Sequence, residues 1–157
     1  MKFKFKQKVC ILLILVLSVV GMYGCSDMPF NGDIEFHNIS LTIPEKFIRD
    51  STQSNDDLWL FEYDSYKEYI IINRKDIVGD SDKTLDEYAD YLTKDQGADC
   101  NRTTFLKNDA LLSTYEQQGE LWQELLFAYK GSFYAVALRG GTEDEFKAIL
   151  DTVNLKA

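Results

Sequence analysis

Few side chains in this chain are equipped for catalysis. Histidine occurs once, as His37 in IEFHNISLTI, and beyond the first 25 residues there is one cysteine, Cys100. Acyl transfer needs a hydroxyl or thiol activated by a base held in register. No G-x-S-x-G elbow is present. A Ser–His–Asp site would need His37 and an unmarked serine, and a Cys100–His37 pair is the other combination the sequence leaves open. Otherwise His37 reads as an ordinary strand or surface residue, and Cys100 as a plain thiol near a helix-to-strand turn. Zinc is poorly served, because the same two residues are the only N and S donors on offer. Asp76, Asp80, Asp82 and Asp86 form an acidic run that would suit calcium, but the EF-hand spacing fails. The run reads as a solvated loop, with Asp86 in the first turn of a helix. Arg139-Gly140-Gly141-Thr142 leads into a helix N-terminus, where phosphates bind. There Glu143, Asp144 and Glu145 already complement the helix dipole and would repel a phosphate. The expectation is no catalytic residue, no cofactor site and no metal site.

Cys25 has a different chemistry. Lys2, Lys4, Lys6 and Lys8 precede the apolar run Val9–Val20, which only Ser18 interrupts. Those 12 residues have the length of a signal-peptide h-region and fall short of the roughly 20 that span a bilayer. Gly21-Met-Tyr-Gly24-Cys25 follows and resembles a bacterial lipobox, in which a small residue precedes a cysteine that becomes the acylated first residue. Met22 stands where leucine is usual, and Tyr23 is bulky for its place. The resemblance implies a diacylglyceryl thioether on Cys25. Two acyl chains anchor stably where one does not. The alternative is an uncleaved N-terminal anchor with Cys25 a plain thiol. The expected organisation is a signal peptide over 1–24, a lipidated tether over 25–33 and one domain over 34–157. Its expected place is the extracytoplasmic face of a bacterial cell membrane, held there by lipid on Cys25.

Without the signal segment the chain keeps 133 residues, 13 basic and 26 acidic, for a net charge of −13. Nucleic acid is an unsuitable partner, because its binding relies on Lys and Arg to neutralise phosphates. Direct adhesion to anionic lipid is disfavoured for the same reason. Cys100 is then the only thiol outside the lipidation site, so the domain must stand on its core without an internal disulfide.

The segment LWLFEYDSYKEYIII is the densest aromatic stretch. Trp59, Phe61 and Tyr63 alternate and share one face of a strand, with Leu58 and Leu60 on the other. Such a hairpin is either central to the sheet or shows an aromatic face to a sugar, peptide or protein. Trp59, Phe61 and Tyr63 are therefore the candidate contact residues, with Trp122 and Tyr134 able to extend either arrangement.

These residues must be positioned by an alternating pattern of strands. Strands are expected at 34–43, 58–63, 69–73, 101–107, 110–117, 120–129 and 132–138. The last four form a meander through turns at Asn108-Asp109, Gln118-Gly119 and Gly131-Ser132. Thr84-x-x-Glu87 and Thr142-x-x-Glu145 are capping boxes. Each opens an apolar stripe, Leu85/Tyr88/Ala89/Leu92 and Phe146/Ile149/Leu150/Val153. The reading is an α+β fold: a single antiparallel sheet of about seven strands with two covering helices, in the order βββ-α-ββββ-α.

ISLTIPEKF, TLDEYADYL and GSFYAVAL followed by TEDEFKAIL resemble the PsbP/Mog1-like α/β sandwich group over nearly all of residues 34–155. The group includes a photosystem accessory subunit and a regulator of a small GTPase, so the fold by itself predicts no activity. The resemblance implies a non-catalytic accessory or binding role in the cell envelope, with a protein as partner. The second expectation is a small ligand or envelope polymer bound at Trp59, Phe61 and Tyr63.

Overall fold

The computed structural model describes residues 32–77 and 84–157. The signal segment, Cys25 and most of the tether lie outside the described residues, as do Asp80 and Asp82. Among the described residues, no helix is long and apolar enough to cross a membrane.

Gly32 and Asp33, at the end of the expected tether, already belong to the first strand. The expected strand at 34–43 is a hairpin: β1 (Gly32–Phe36) and β2 (Ile39–Ile43) pair antiparallel around His37 and Asn38. His37 takes a φ of +53°, in the left-handed region, and this turns the chain back. β3 (Ile48–Arg49) follows, then β4 (Leu58–Tyr63) and β5 (Glu68–Asp76). Helix α1 (Leu85–Gln96) leads to β6 (Asp99–Phe105), β7 (Asn108–Gln117), β8 (Glu120–Tyr129) and β9 (Ser132–Arg139). Helix α2 (Glu143–Leu150) and β10 (Asn154–Leu155) close the fold.

Among the described residues the fold is α+β with two helices, as expected, but the single sheet is a correction. The described residues form two antiparallel sheets, one of seven strands in the order β3-β4-β5-β9-β8-β7-β6 and one of three, β1-β2-β10. The reason is local. Once residues 32–43 fold back on themselves, β2 is paired by β1 on one edge and by β10 on the other. No edge remains to join the larger sheet.

The two helices lie on opposite faces of the seven-stranded sheet. One face meets the three-stranded sheet and α2. Phe61, Ile70, Phe127, Tyr134 and Val136 pack there against Phe36, Ile39, Leu41, Phe146 and Ile149. On the other face α1 lies over β6 and β7. Leu85, Tyr88, Ala89 and Leu92 pack on Leu111, Leu126, Phe133 and Ala135. Both capping boxes form. The Glu87 and Glu145 amides donate to the Thr84 and Thr142 hydroxyls, and the Thr84 and Thr142 amides donate to the two glutamates. Gly97 ends α1 at a φ of +67°.

Two turns of the meander sit one or two residues earlier than the glycine and asparagine positions suggest. β6 turns into β7 at Leu106-Lys107, with φ +48° and +68°. Asn108 is the first residue of β7, and its side-chain amide donates to the Leu106 carbonyl at 2.9 Å. β8 turns into β9 at Lys130-Gly131.

Candidate functional site

The candidate aromatic residues share one face of β4, but that face is the one turned to the three-stranded sheet. Phe61 is 0% exposed and has no surface to offer a ligand. Tyr63 is exposed, edge-on to Phe47, with the Lys46 ammonium 5.1 Å from its ring centre. Trp59 packs edge-on against Phe36 at 5.2 Å, and the Arg49 guanidinium lies 3.9 Å above it. Trp59, Arg49, His37 and Asp56 border a hollow of 510 Å³. His37 Nε2 donates to the Asp56 carbonyl at 2.6 Å and faces the Asp57 carboxylate at 3.4 Å.

His37 and Cys100 are not brought together. His37 turns the hairpin of the small sheet, on one face of the larger sheet. Cys100 lies on β6, packed with the α1 residues on the other face. Its thiol donates to the Ser113 hydroxyl at 3.5 Å. Asp76 pairs with Arg74 and accepts from Ser132 at 2.8 Å; Asp86 faces Arg102 at 3.6 Å. At Gly140 a Cβ would sit 2.4 Å from the Lys67 carbonyl, so that glycine serves a close backbone approach. Beside it, Glu145 is occupied by its own helix and by Lys46, which also binds Glu68. These contacts hold the Glu145 carboxyl down at about 2, with the Lys46 hydrogen bond the largest cause.

The register assembles a different constellation on the α1 face. One row of directly opposed residues crosses five strands: Glu62, Tyr69, Arg139, Trp122 and Tyr115. Arg139 donates to the Tyr69 hydroxyl at 2.9 Å and sits 4.9 Å from the Tyr69 ring centre and 5.8 Å from that of Trp122. Tyr115 stacks on Trp122 at 5.8 Å, nearly parallel. Burial, and then the nearby Glu124, push the Tyr115 hydroxyl up to about 12. The next row is Leu60, Ile71, Ala137, Glu124 and Ser113, and the one after it Leu58, Asn73, Ala135, Leu126 and Leu111.

Because α1 lies over β6 and β7, it walls one side of these rows. The result is a trough of 490 Å³. Leu58, Leu126, Phe133 and Ala135 form its floor, and Tyr88, Tyr91 and Leu92 of α1 its wall. Glu124 lines the trough, half-buried, and desolvation raises its carboxyl above the ordinary glutamate value. None of the described lining residues is a serine, threonine, cysteine or histidine. The trough joins this apolar floor and wall to a polar rim of Asn55, Asp57, Asn73, Arg74 and Lys75, as binding surfaces do, and its described lining holds no nucleophile–base pair. Its one trace in the sequence is Glu124 itself, which interrupts the apolar alternation of Trp122, Leu126 and Ala128.

No family model and no curated protein matches the chain. Solved structures do. Cyanobacterial PsbP (CyanoP) from Synechocystis superposes with a TM-score of 0.57 at 11% identity, over 84% of this chain and 97% of that one. A crystal structure from Bacteroides thetaiotaomicron gives a TM-score of 0.50 at 14% identity over 82% of this chain. The chain spans half the length of that protein. At such identities the likeness is one of fold alone. The domain has a PsbP-like fold.

Proposed function

We propose that this protein is a non-catalytic binding or accessory module of the bacterial cell envelope. It is lipid-anchored through Cys25 on the extracytoplasmic face and takes a protein partner in the trough beside α1. The observation that carries the binding role is the unequal cover of the large sheet. One face is filled by a second sheet and a helix. Among the described elements, α1 is the one packed on the other face, and it leaves an apolar trough with a half-buried carboxylate in it. Anchoring is supported by the lysine-led apolar segment that ends at Cys25. The charge of −13 beyond that segment suits a domain held off an anionic membrane.

Two variants test the two halves of the reading. Cys25→Ala is expected to appear in the soluble fraction or to remain an unprocessed precursor; normal maturation and membrane retention would refute lipid anchoring. Asn73 is exposed on the trough row, so Asn73→Trp fills the trough without entering the core. After cross-linking in native membranes and solubilisation, the wild type is expected to co-isolate with a partner and Asn73→Trp to lose it. Equal recovery from both would refute the trough as the docking surface. A small ligand or envelope polymer is the second reading, favoured by the hollow at Trp59, where the buried Arg49 Nε has no partner. Trp59→Ala, with Asn73→Trp silent, is its signature.

A further inference from the structure

Of the charged residues lining the trough, Arg74, Lys75 and Asp57 have partners, and Glu124 has none among the described residues. Arg139 donates to Tyr69 and lies within cation–π reach of both the Tyr69 and Trp122 rings, which meet edge-on at 5.4 Å. Arg102, on the same face at the far edge, pairs with Asp86. Arg74 on the rim is held by Asp57 and Asp76. Glu124 has Ala137 and Ser113 directly opposite it and Trp122 and Leu126 along its own strand. Among the described residues no hydrogen bond or ion pair reaches its carboxylate. The carboxylate is half-buried over an apolar floor and still open to solvent, and in such partly desolvated surroundings a cation from outside would be attracted more strongly than in bulk water.

Resting on the docking role above, we propose that the trough receives a lysine or arginine side chain from an extended segment of the partner protein. The cationic head meets Glu124, and the aliphatic stem lies on Leu58, Ala135 and Leu126. Three features select this occupant. The stem of a long basic side chain covers apolar surface while its head stays polar. Tyr88 and Tyr91 line the wall and add aromatic surface for the stem to lie against. The acidic excess of the chain steers a basic partner and repels an acidic one. A segment rather than a free amine fits because α1 walls one side of the trough, whereas a small-ligand site encloses most of its ligand.

The test uses the full chain in detergent and three labelled, acetylated and amidated peptides of sequence Gly-Val-X-Val-Ser-Gly. X is lysine, Nε-acetyl-lysine or glutamate, and fluorescence anisotropy reads binding. The lysine peptide is expected to bind about tenfold or more tightly than the other two. Glu124→Gln, nearly the same shape, should bring lysine and acetyl-lysine peptides to the same affinity. Asp95→Asn, on the exposed surface of α1, should leave the preference intact and so separates local pairing from general acidity. No lysine preference in the wild type, or a preference that survives Glu124→Gln, overturns the proposal. Should Glu124→Gln not fold, Asn73→Trp decides: lost preference supports the proposal, and retained preference overturns it. If Asn73→Trp loses its membrane partner while Glu124→Gln keeps the lysine preference, the docking reading stands and the charge inference alone fails.

Discussion

Asp50 is the residue whose removal gives the most calculable response. It is 6% exposed, in the loop between β3 and β4, and its carboxylate is saturated. The Thr52 amide and hydroxyl donate to it at 2.8 and 2.6 Å, and the Gln53 amide at 3.1 Å. The Gln53 side chain donates to its second oxygen at 3.1 Å, and the Tyr66 hydroxyl at 2.7 Å. These bonds, the Thr52 and Tyr66 hydroxyls first, lower the carboxyl from 3.8 to about 2. At 1.36 kcal/mol per unit, that difference is worth about 2 kcal/mol. The folded value is the depressed one, so the stabilisation is complete above pH 3.8 and disappears as pH falls through 2. Asp50→Asn removes the charge and half the acceptors. At about 3–4 °C per kcal/mol for a domain this size, it should lower Tm by roughly 7 °C at neutral pH. Calorimetry at pH 7 and near pH 2 reads both quantities. The gap between variant and wild type should shrink sharply at the lower pH. A gap of the same size at both, or one under about 2 °C at neutral pH by the same conversion, would refute the assignment.

Other substitutions separate stability from binding. Glu124→Gln should raise Tm at neutral pH, because the folded state holds this carboxyl above its ordinary 4.5 by desolvation. The penalty is absent below 4.5 and grows as pH rises, so scans at pH 4 should show the variant and wild type converging; a destabilised variant at pH 7 would count against an unpaired carboxylate. Phe61→Ala should cost about 3–5 kcal/mol by denaturant unfolding, because the ring is core. A mild loss with impaired binding would instead make Phe61 a contact residue. Thr142→Ala removes the cap of α2 and should cost about 1 kcal/mol; an unchanged denaturation midpoint would show the capping box to be idle.

What could be read from the sequence divides along physical lines. Both helices were legible because a capping box and an i, i+3, i+4, i+7 stripe are local signals, and Thr84 to Leu92 carries both. The strands of the meander were legible from alternation. Their turns were misplaced where the chain accepts positive φ at Leu106 and Lys107 rather than at glycine. The hairpin at His37 was missed because its two strands together read as one continuous alternating run. That miss hid the second sheet, and the second sheet decides which face of β4 is buried. Phe61 therefore drew notice as a contact residue although it is core. The trough combines side chains from β4, β5, β8, β9 and α1. Their register is set by pairing across long sequence separations, as between Ile71 and Ala137, and no local pattern encodes it. Only Glu124, a charge between Trp122 and Leu126 on the same face, leaves a local signal, and it drew no notice.

The central claim is that a partner docks in the trough beside α1. Site-specific photo-cross-linking in intact cells tests it most directly, with the photoreactive residue at Tyr91 on the trough wall, at Trp59 in the opposite hollow, or at Leu106. Tyr91 is 43% exposed and Leu106, in the β6–β7 turn, 45%. The account predicts a discrete adduct from position 91 that is absent from position 106 and lost in the Asn73→Trp background. Adducts from position 59 or 106 with none from position 91 would contradict it.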